Sequence, residues 1–222
     1  MKIFVTIPAY NEEQKIGSVV RSIRKLEYQN VLVVDDGSND HTLREAEEAG
    51  AVTISHLINR GKGAATRTAL EAALILGAEV VVTIDGDGQH DPSDIKRVIQ
   101  PLLDGKVDVV LGTRFKGKNK VPFLRRVYNL VGNLFTFVLG GVFVSDSQSG
   151  FRAYSKKALE LIDTKTDRYE FESEVIHEIA GNKLSFLEVP IGVKYTKYSM
   201  SKGQGFKNGI KTAWKLLIKS IV

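Results

Sequence analysis

The stretch VVTIDGDGQHDP, residues 81–92, passes from an apolar strand into a turn that carries three aspartates. Asp85 ends the strand, and Asp87 follows two residues later. Because the glycines beside Asp87 leave the backbone flexible, the two carboxylates can converge on one hard cation. The alternative interpretation is a solvated turn in which Asp91 caps the following helix. Both interpretations place a tight polar turn at the end of a strand.

The same arrangement recurs along the chain. Helix-length segments alternate with five β-branched apolar runs: KIFVTI, NVLVVDD, AVTISHL, EVVVTID and VDVVLGT. This alternation predicts βαβ units, so we expect an α/β fold with a Rossmann-like, mainly parallel sheet flanked by helices. Helix starts are predicted after Asn11, after Asn39 or Asp40, and after Asp91. Parallel strands end at one edge of a sheet, which gathers the polar residues that follow them into one site.

Composition limits the possible functions. The 222 residues suffice for one domain with a proper core, and we find no linker that would separate two domains. Cysteine is absent, which excludes disulfides, zinc–thiolate sites and thiol catalysis. The first residues read as a strand and lack a signal-peptide pattern, so a cytoplasmic location is expected.

Positive charge is concentrated in two segments. Seven lysines and no acid lie between residues 191 and 222, and residues 109–145 are also free of acid. We expect an anionic partner near both segments. No recognised nucleic-acid-binding motif accompanies the charge, so a nucleic-acid-binding module is the less favoured explanation.

Two further stretches concern a membrane surface. The uncharged run of residues 127–144 contains asparagines and glycines, which favours an interfacial or buried helix over a spanning one. Residues 204–222 set apolar side chains, including Trp214, beside a stripe of lysines. This pattern predicts a basic amphipathic helix on anionic lipid, appended to a domain of residues 1–203. The alternative is a terminal helix that packs on the domain.

Other strand ends carry polar groups suited to a nucleotide. Pro8, Tyr10 and Glu12 follow the first strand in IPAYNEE and could line a slot for a base, or could form only a turn. Asp36 follows the second strand in VVDDGSNDHT and could accept a hydrogen bond from a base or ribose. Arg114 closes the fifth strand in GTRF.

Six motifs follow one another along the chain in this order: IPAYNEE, VVDDGSNDHT, NRGKGAA, DGDGQHDP, GTRF and DSQSGFRAY. Together they resemble the family 2 glycosyltransferases of the GT-A fold, in the branch with dolichyl-phosphate mannose and glucose synthases and their bacterial polyprenyl-phosphate relatives. The resemblance covers residues 2 to about 203. It implies an inverting enzyme that moves a hexose from GDP-mannose or UDP-glucose to dolichyl or polyprenyl phosphate. Such an enzyme would lie peripherally on the inner face of the cell membrane.

The resemblance also implies roles for single residues. Binding of the nucleotide sugar is implied for Pro8, Tyr10, Glu12, Asp36, Asp85, Gly86, Lys197 and Lys202. Ligation of Mg²⁺ or Mn²⁺ is implied for Asp85, Asp87 and Gln89. Catalytic roles are implied for Asp87, Arg114 and Arg125, and contact with the acceptor phosphate for Arg125 and Ser201. At one position the chain differs, because Glu170 replaces a lysine of the mannosyl branch.

Two enzyme alternatives concern the acceptor and the aspartates. A phosphate acceptor is already ionised at neutral pH and needs no general base. A hydroxyl acceptor would need one, and Asp146, Glu172 or Glu174 would be the candidates. A phosphatase would also use strand-end aspartates, but it would leave IPAYNEE and DSQSGFRAY without a role.

Overall fold

The computed structural model describes residues 1–117, 119, 121–168 and 170–194. They form one seven-stranded sheet flanked by helices. The strands are β1 (Ile3–Ala9), β2 (Asn30–Asp35), β3 (Val52–Ser55), β4 (Val80–Thr83), β5 (Val109–Thr113), β6 (Arg152–Ser155) and β7 (Phe186–Pro190). The helices are α1 (Ile16–Lys25), α2 (Thr42–Glu48), α3 (Lys62–Ile75), α4 (Ile95–Leu103), α5 (Phe123–Gly140), α6 (Lys156–Leu161) and α7 (Phe171–Gly181).

The strand order is β3-β2-β1-β4-β6-β5-β7. All neighbours pair in parallel except β6, which runs antiparallel to both β4 and β5. The predicted α/β fold with a mainly parallel sheet is therefore confirmed. Because β6 is reversed, its first residue, Arg152, pairs with Thr83 at the end of β4. The segment before β6 thus reaches the edge where the parallel strands end.

The core explains why the central strands read as continuous apolar runs. Side chains of β1, β2 and β4 are buried on both faces, as βαβ connections require. Helices α1 and α4 cover one face, and α3 covers the other. The buried face of α3 consists of alanines, Ala65, Ala69 and Ala73, which let this helix lie close to the sheet.

The predicted helix starts are confirmed in part. Asp91 accepts a hydrogen bond from the Ser93 amide at 3.0 Å and caps a short 3₁₀ turn, Pro92–Asp94. Asp40 accepts from the amide of Thr42, the first residue of α2, at 2.9 Å. The prediction that Asn11 begins a helix is wrong, because α1 begins at Ile16. Asn11 instead has a left-handed backbone and accepts from the Asn39 amide at 2.9 Å, so it joins two loops.

Helix α5 has an unusual distribution of side chains. Its polar residues Asn129, Asn133 and Thr136 are buried, whereas Leu130 and Leu134 are 65% and 60% exposed. Both asparagine Nδ2 atoms donate to the Ser145 carbonyl oxygen, at 2.8 and 2.9 Å. The apolar stripe of α5 therefore faces outward. Within the described ranges, no helix combines the length and apolar character that a bilayer-spanning segment needs.

Several predicted features lie outside the described residues. They are the helix of residues 204–222 and the positions Lys197, Ser201 and Lys202. The division of the chain at residue 203 therefore stays a prediction.

Candidate active site

Charged side chains from four elements meet at the carboxyl edge of the sheet. Lys62 Nζ, at the start of α3, lies 2.7 Å from Asp85 Oδ1 and 3.1 Å from Glu172 Oε1. Arg152 Nη2 lies 2.9 Å from Glu172 Oε2. Glu172 and Arg152 are nearly inaccessible, whereas about a quarter of Lys62 and of Asp85 is exposed, at 27% and 25%. We call Lys62, Asp85, Arg152 and Glu172 the ionic cluster.

Two glycines allow this cluster to form. Gly61 precedes α3 with a φ of 115°, a conformation that side chains disfavour, and a Cβ there would lie 2.4 Å from the Asp167 carbonyl oxygen. A Cβ on Gly150 would lie 2.6 Å from Lys62 Nζ and 2.7 Å from Asp85 Oδ1. The glycines of NRGKG and DSQSG therefore serve close packing around Lys62. In the sequence, the only sign that Lys62 belongs to the site is its place between two glycines.

The pKa values of the cluster follow from burial and charge. Burial disfavours the Lys62 ammonium, but the carboxylates of Asp85 and Glu172 outweigh it and raise the Lys62 pKa well above its usual range. Burial alone would raise the pKa of Asp85, but Lys62 and then His90 hold that pKa well below its usual range. Burial, and next the charge of Asp85, raises the pKa of Asp87. Asp87 thus lies in a place where a further cation would be favourable.

The residues predicted to hold a metal ion have the chemistry for that role, and they lie in one turn after β4. Asp87 Oδ1 accepts from the Gln89 amide at 2.8 Å, which fixes the turn. Gln89 and His90 are buried, and their Nε2 and Nδ1 atoms have no hydrogen-bond partner. Carboxylate and amide oxygens suit Mg²⁺ or Mn²⁺. Among the described residues, no three acidic or histidine side chains are already gathered around one point. A bound ion would therefore need ligands in addition to the acidic and histidine side chains of the described residues.

The residues predicted to contact the nucleotide lie at the ends of β1 and β2. Pro8 is partly exposed, Tyr10 is 41% exposed, and Glu12 is buried with its amide donating to Thr42 Oγ1 at 2.7 Å. A Cβ added at Gly86 would meet the side chains of Ile16 and Ile7 at ordinary contact distances. A contact of these residues with a donor stays a prediction.

Asp36 accepts hydrogen bonds from several donors of the protein itself. Its carboxylate accepts from His56 Nδ1 at 2.8 Å, Asn59 Nδ2 at 2.9 Å, the Arg60 amide at 3.0 Å and the Gly61 amide at 2.7 Å. A carboxylate offers about four acceptor positions, so protein donors use the full capacity of Asp36. This geometry makes Asp36 an organiser of the turn before Lys62, whereas the sequence indicated direct contact with a nucleotide.

Arg114 is held by a partner that the sequence did not indicate. Its Nε and Nη2 atoms each lie 2.7 Å from an oxygen of Asp146, which is fully buried, and its amide donates to Asp146 Oδ2 at 3.0 Å. This two-point geometry fixes the guanidinium plane. Arg125 lies in the first turn of α5, and its side chain is outside what the structure describes.

The three carboxylates considered as general bases are all engaged. Both oxygens of Asp146 bind Arg114, and Glu172 lies between Lys62 and Arg152. Glu174 accepts from the Lys165 and Thr166 amides at 3.1 and 2.8 Å. All three candidates for the alternative of a hydroxyl acceptor therefore stabilise the protein's own cations or amides in this structure.

Comparison with known proteins agrees with this arrangement. The family described as Glycosyl transferase family 2 matches residues 4–162, well over half of the chain. The protein belongs to this family. The matched residues contain β1 from its second residue, all of β2 to β6, and the aspartate pair.

Two of the relatives of this glycosyltransferase are named for a dolichyl-phosphate or polyprenol substrate. The chain is 41% identical to an uncharacterized protein of Methanocaldococcus jannaschii, over 99% of this chain and 93% of that one. It is also 41% identical to the UDP-N-acetylglucosamine–dolichyl-phosphate N-acetylglucosaminyltransferase of Methanococcus voltae, over 97% and 95%. Identity to the polyprenol monophosphomannose synthase of Mycolicibacterium smegmatis is 31%, over 92% and 82%. The resemblance to the polyprenyl-phosphate branch is thereby confirmed.

Solved structures agree on the fold. Glucosyl-3-phosphoglycerate synthase of Mycobacterium tuberculosis superposes with a TM-score of 0.74 and 26% identity, over 97% of this glycosyltransferase and 79% of that chain. The complex of that synthase with Mn²⁺ and UDP-glucose superposes with a TM-score of 0.73 and 25% identity, over 97% and 76%.

Proposed function

We propose that this family 2 glycosyltransferase moves a sugar from a nucleotide diphosphate to dolichyl or polyprenyl phosphate, with inversion and with Mg²⁺ or Mn²⁺. The names of its relatives support the acceptor class. The first candidate donor is UDP-N-acetylglucosamine, because the 41% identical M. voltae enzyme is named for it. GDP-mannose and UDP-glucose are the other candidates, and the synthase structure with Mn²⁺ and UDP-glucose supports a divalent ion.

One observation favours a phosphate acceptor over a hydroxyl. Asp146, Glu172 and Glu174 each already bind cations or amides of the protein, which makes them less available as general bases. A phosphate monoester has a second pKa of about 6 and is largely ionised at neutral pH. Its attack on the anomeric carbon needs no general base, which is consistent with the engaged carboxylates.

The remaining roles follow from where charge develops. The leaving diphosphate gains negative charge in the transition state, and a divalent ion held by Asp85, Asp87 and Gln89 would stabilise it as a Lewis acid. Arg114, oriented by Asp146, would contact the donor phosphates or the acceptor. We assign the acceptor phosphate to Arg125 and Ser201, and closure over the donor to Lys197 and Lys202.

The acceptor reaction is the direct test. Protein is incubated with Mn²⁺ and each of UDP-N-acetylglucosamine, UDP-glucose and GDP-mannose, with dolichyl phosphate or plain dolichol. We expect one donor to give a charged glycolipid from dolichyl phosphate only, and EDTA to abolish the product. Glycosylation of dolichol, or of a soluble sugar alone, would contradict the proposal. Such a result would require a general base, which would then have to be sought again among the carboxylates of the site.

The outward apolar stripe of α5 supports a position on the membrane surface. Exposed leucines on one helix face, next to a chain segment without acidic residues, suit the boundary between lipid headgroups and acyl chains. We propose that this face, together with residues 204–222, rests on the cytoplasmic surface of the membrane. The polar contacts of Asn129 and Asn133 would then keep α5 attached to the site.

Removing the apolar stripe should weaken membrane binding. We expect the double substitution Leu130→Asn and Leu134→Asn to lower the affinity for anionic liposomes, measured by sedimentation, about thirtyfold, because two exposed leucines worth about 1 kcal/mol each at an interface contribute about 2 kcal/mol together. The matched control is Leu26→Asn with Ile75→Asn, which changes two leucine-sized exposed side chains at the opposite edge of the sheet. Equal loss in both double variants would mean that α5 has no special part in binding.

A further inference from the structure

Asp85 already has a cation within the protein. The Lys62 ammonium lies 2.7 Å from Asp85 Oδ1, on the carboxylate assigned to the divalent ion. Asp85 and Glu172 pair with two cations, Lys62 and Arg152, and Asp87 adds a third carboxylate that is close enough to feel the charges of Asp85 and Lys62. One net negative charge therefore remains at the place where a doubly charged ion would bind. This balance predicts weak binding of the ion by the protein alone.

Lys62 is also fixed in place. Its ammonium bridges Asp85 and Glu172, and the backbone of Gly150 lies against it, so that a Cβ there would come within 2.6 Å of Nζ. The chain just before it is held by Asp36, which accepts from the Gly61 amide at 2.7 Å. Lys62 is therefore held beside Asp85, and its positive charge would repel a second cation there at short range.

A nucleotide diphosphate changes this balance. It brings at least two negative charges to the same edge of the sheet, which offsets the charge of Lys62 and adds oxygen ligands. We propose that Lys62 makes binding of the divalent ion depend on the donor, so that ion and nucleotide bind together and the free enzyme stays largely without the ion. This inference rests on the proposed ion site at Asp85 and Asp87.

The dependence can be measured without turnover. Free Mn²⁺ is quantified by electron paramagnetic resonance in titrations with no nucleotide, with UDP and with GDP. We expect the parent protein to bind Mn²⁺ at least tenfold more tightly with the matching nucleotide. Lys62→Met should bind Mn²⁺ about tenfold more tightly than the parent in the absence of nucleotide and should lose most of the nucleotide effect. Because coupling is reciprocal, the effect of Mn²⁺ on UDP or GDP affinity should shrink by the same factor.

Three further variants serve as controls for the effect of Lys62→Met. Lys62→Arg keeps the charge and should keep the nucleotide effect. Lys62→Gln replaces Lys62→Met if the latter does not fold. Lys194→Met removes an exposed lysine that pairs with Asp91 at 3.5 Å in the same region, and it should behave as the parent does.

The outcomes separate the two proposals. If the parent binds no Mn²⁺ under any condition, the ion site itself is wrong. If the parent binds Mn²⁺ and Lys62→Met leaves the nucleotide effect unchanged, only the role of Lys62 is overturned. Tighter binding by Lys194→Met as well would reduce the effect to general charge and would also overturn it.

Discussion

Asp87→Asn is expected to reduce sugar transfer by about a thousandfold while the protein stays folded. The substitution removes one charge from a proposed ligand whose pKa is raised by burial and by Asp85, so a cation is the partner that this carboxylate lacks. Loss of such a ligand should cost about 4 kcal/mol of transition-state stabilisation. Initial rates with the matching donor and dolichyl phosphate, together with Mn²⁺ affinity, measure the effect.

A matched control for Asp87 exists in the same loop. Asp91→Asn removes a carboxylate four residues away that caps a short turn and is 39% exposed. We expect its transfer rate to remain within a few-fold of the parent. If Asp87→Asn is as active as Asp91→Asn, or if the parent is fully active in EDTA, the aspartate pair is only a turn.

Arg152→Met is expected to have the largest effect on stability. Arg152 is buried, donates to the carbonyl oxygens of Ser147 and Ser149, and pairs with Glu172. Methionine fills a similar volume but leaves these acceptors without their donor. Breaking a buried pair costs about 3–5 kcal/mol, and we expect the lower end because Lys62 still faces Glu172. Denaturant unfolding followed by circular dichroism gives the free energy.

The control for Arg152 is an arginine in an exposed pair. Arg97 lies 2.6 Å from Asp94 and is 53% exposed, so Arg97→Met should change the free energy of unfolding by less than about 1 kcal/mol. Equal destabilisation by the two variants would show that burial of the Arg152–Glu172 pair contributes nothing particular.

The sequence predicted the central part of the fold well. The runs that became β1 to β5 are apolar and β-branched because helices cover both faces of the sheet, and that pattern is visible without a structure. β6 and β7 were not predicted. Their sequences RAYS and FLEVP are short, and RAYS begins with an arginine whose burial depends on Glu172, twenty residues away in the chain.

For the site, the sequence predicted where the functional residues lie better than it predicted which side chains they contact. It placed Asp85 and Asp87 at the correct edge, since both follow an apolar strand directly. It did not reveal that Lys62 binds Asp85, that Asp146 binds Arg114, or that Asp36 is filled by its own neighbours. These contacts join residues distant in sequence, and no local pattern encodes which charges will meet. The same limit applied to the candidate bases, whose spacing says nothing about whether their oxygens are already used.

The ionic cluster has a consequence for how the enzyme comes into being. Its members span residues 62 to 172 and belong to α3, the loop after β4, the reversed strand β6 and α7. Contacts between such distant segments form late, because the chain must close long loops before they yield any stabilisation. During synthesis, the ionic cluster cannot form until α7 has left the ribosome and β6 has inserted between β4 and β5. With the donor site proposed beside this cluster, nascent chains that lack α7 should hold a sugar nucleotide more weakly than the completed fold.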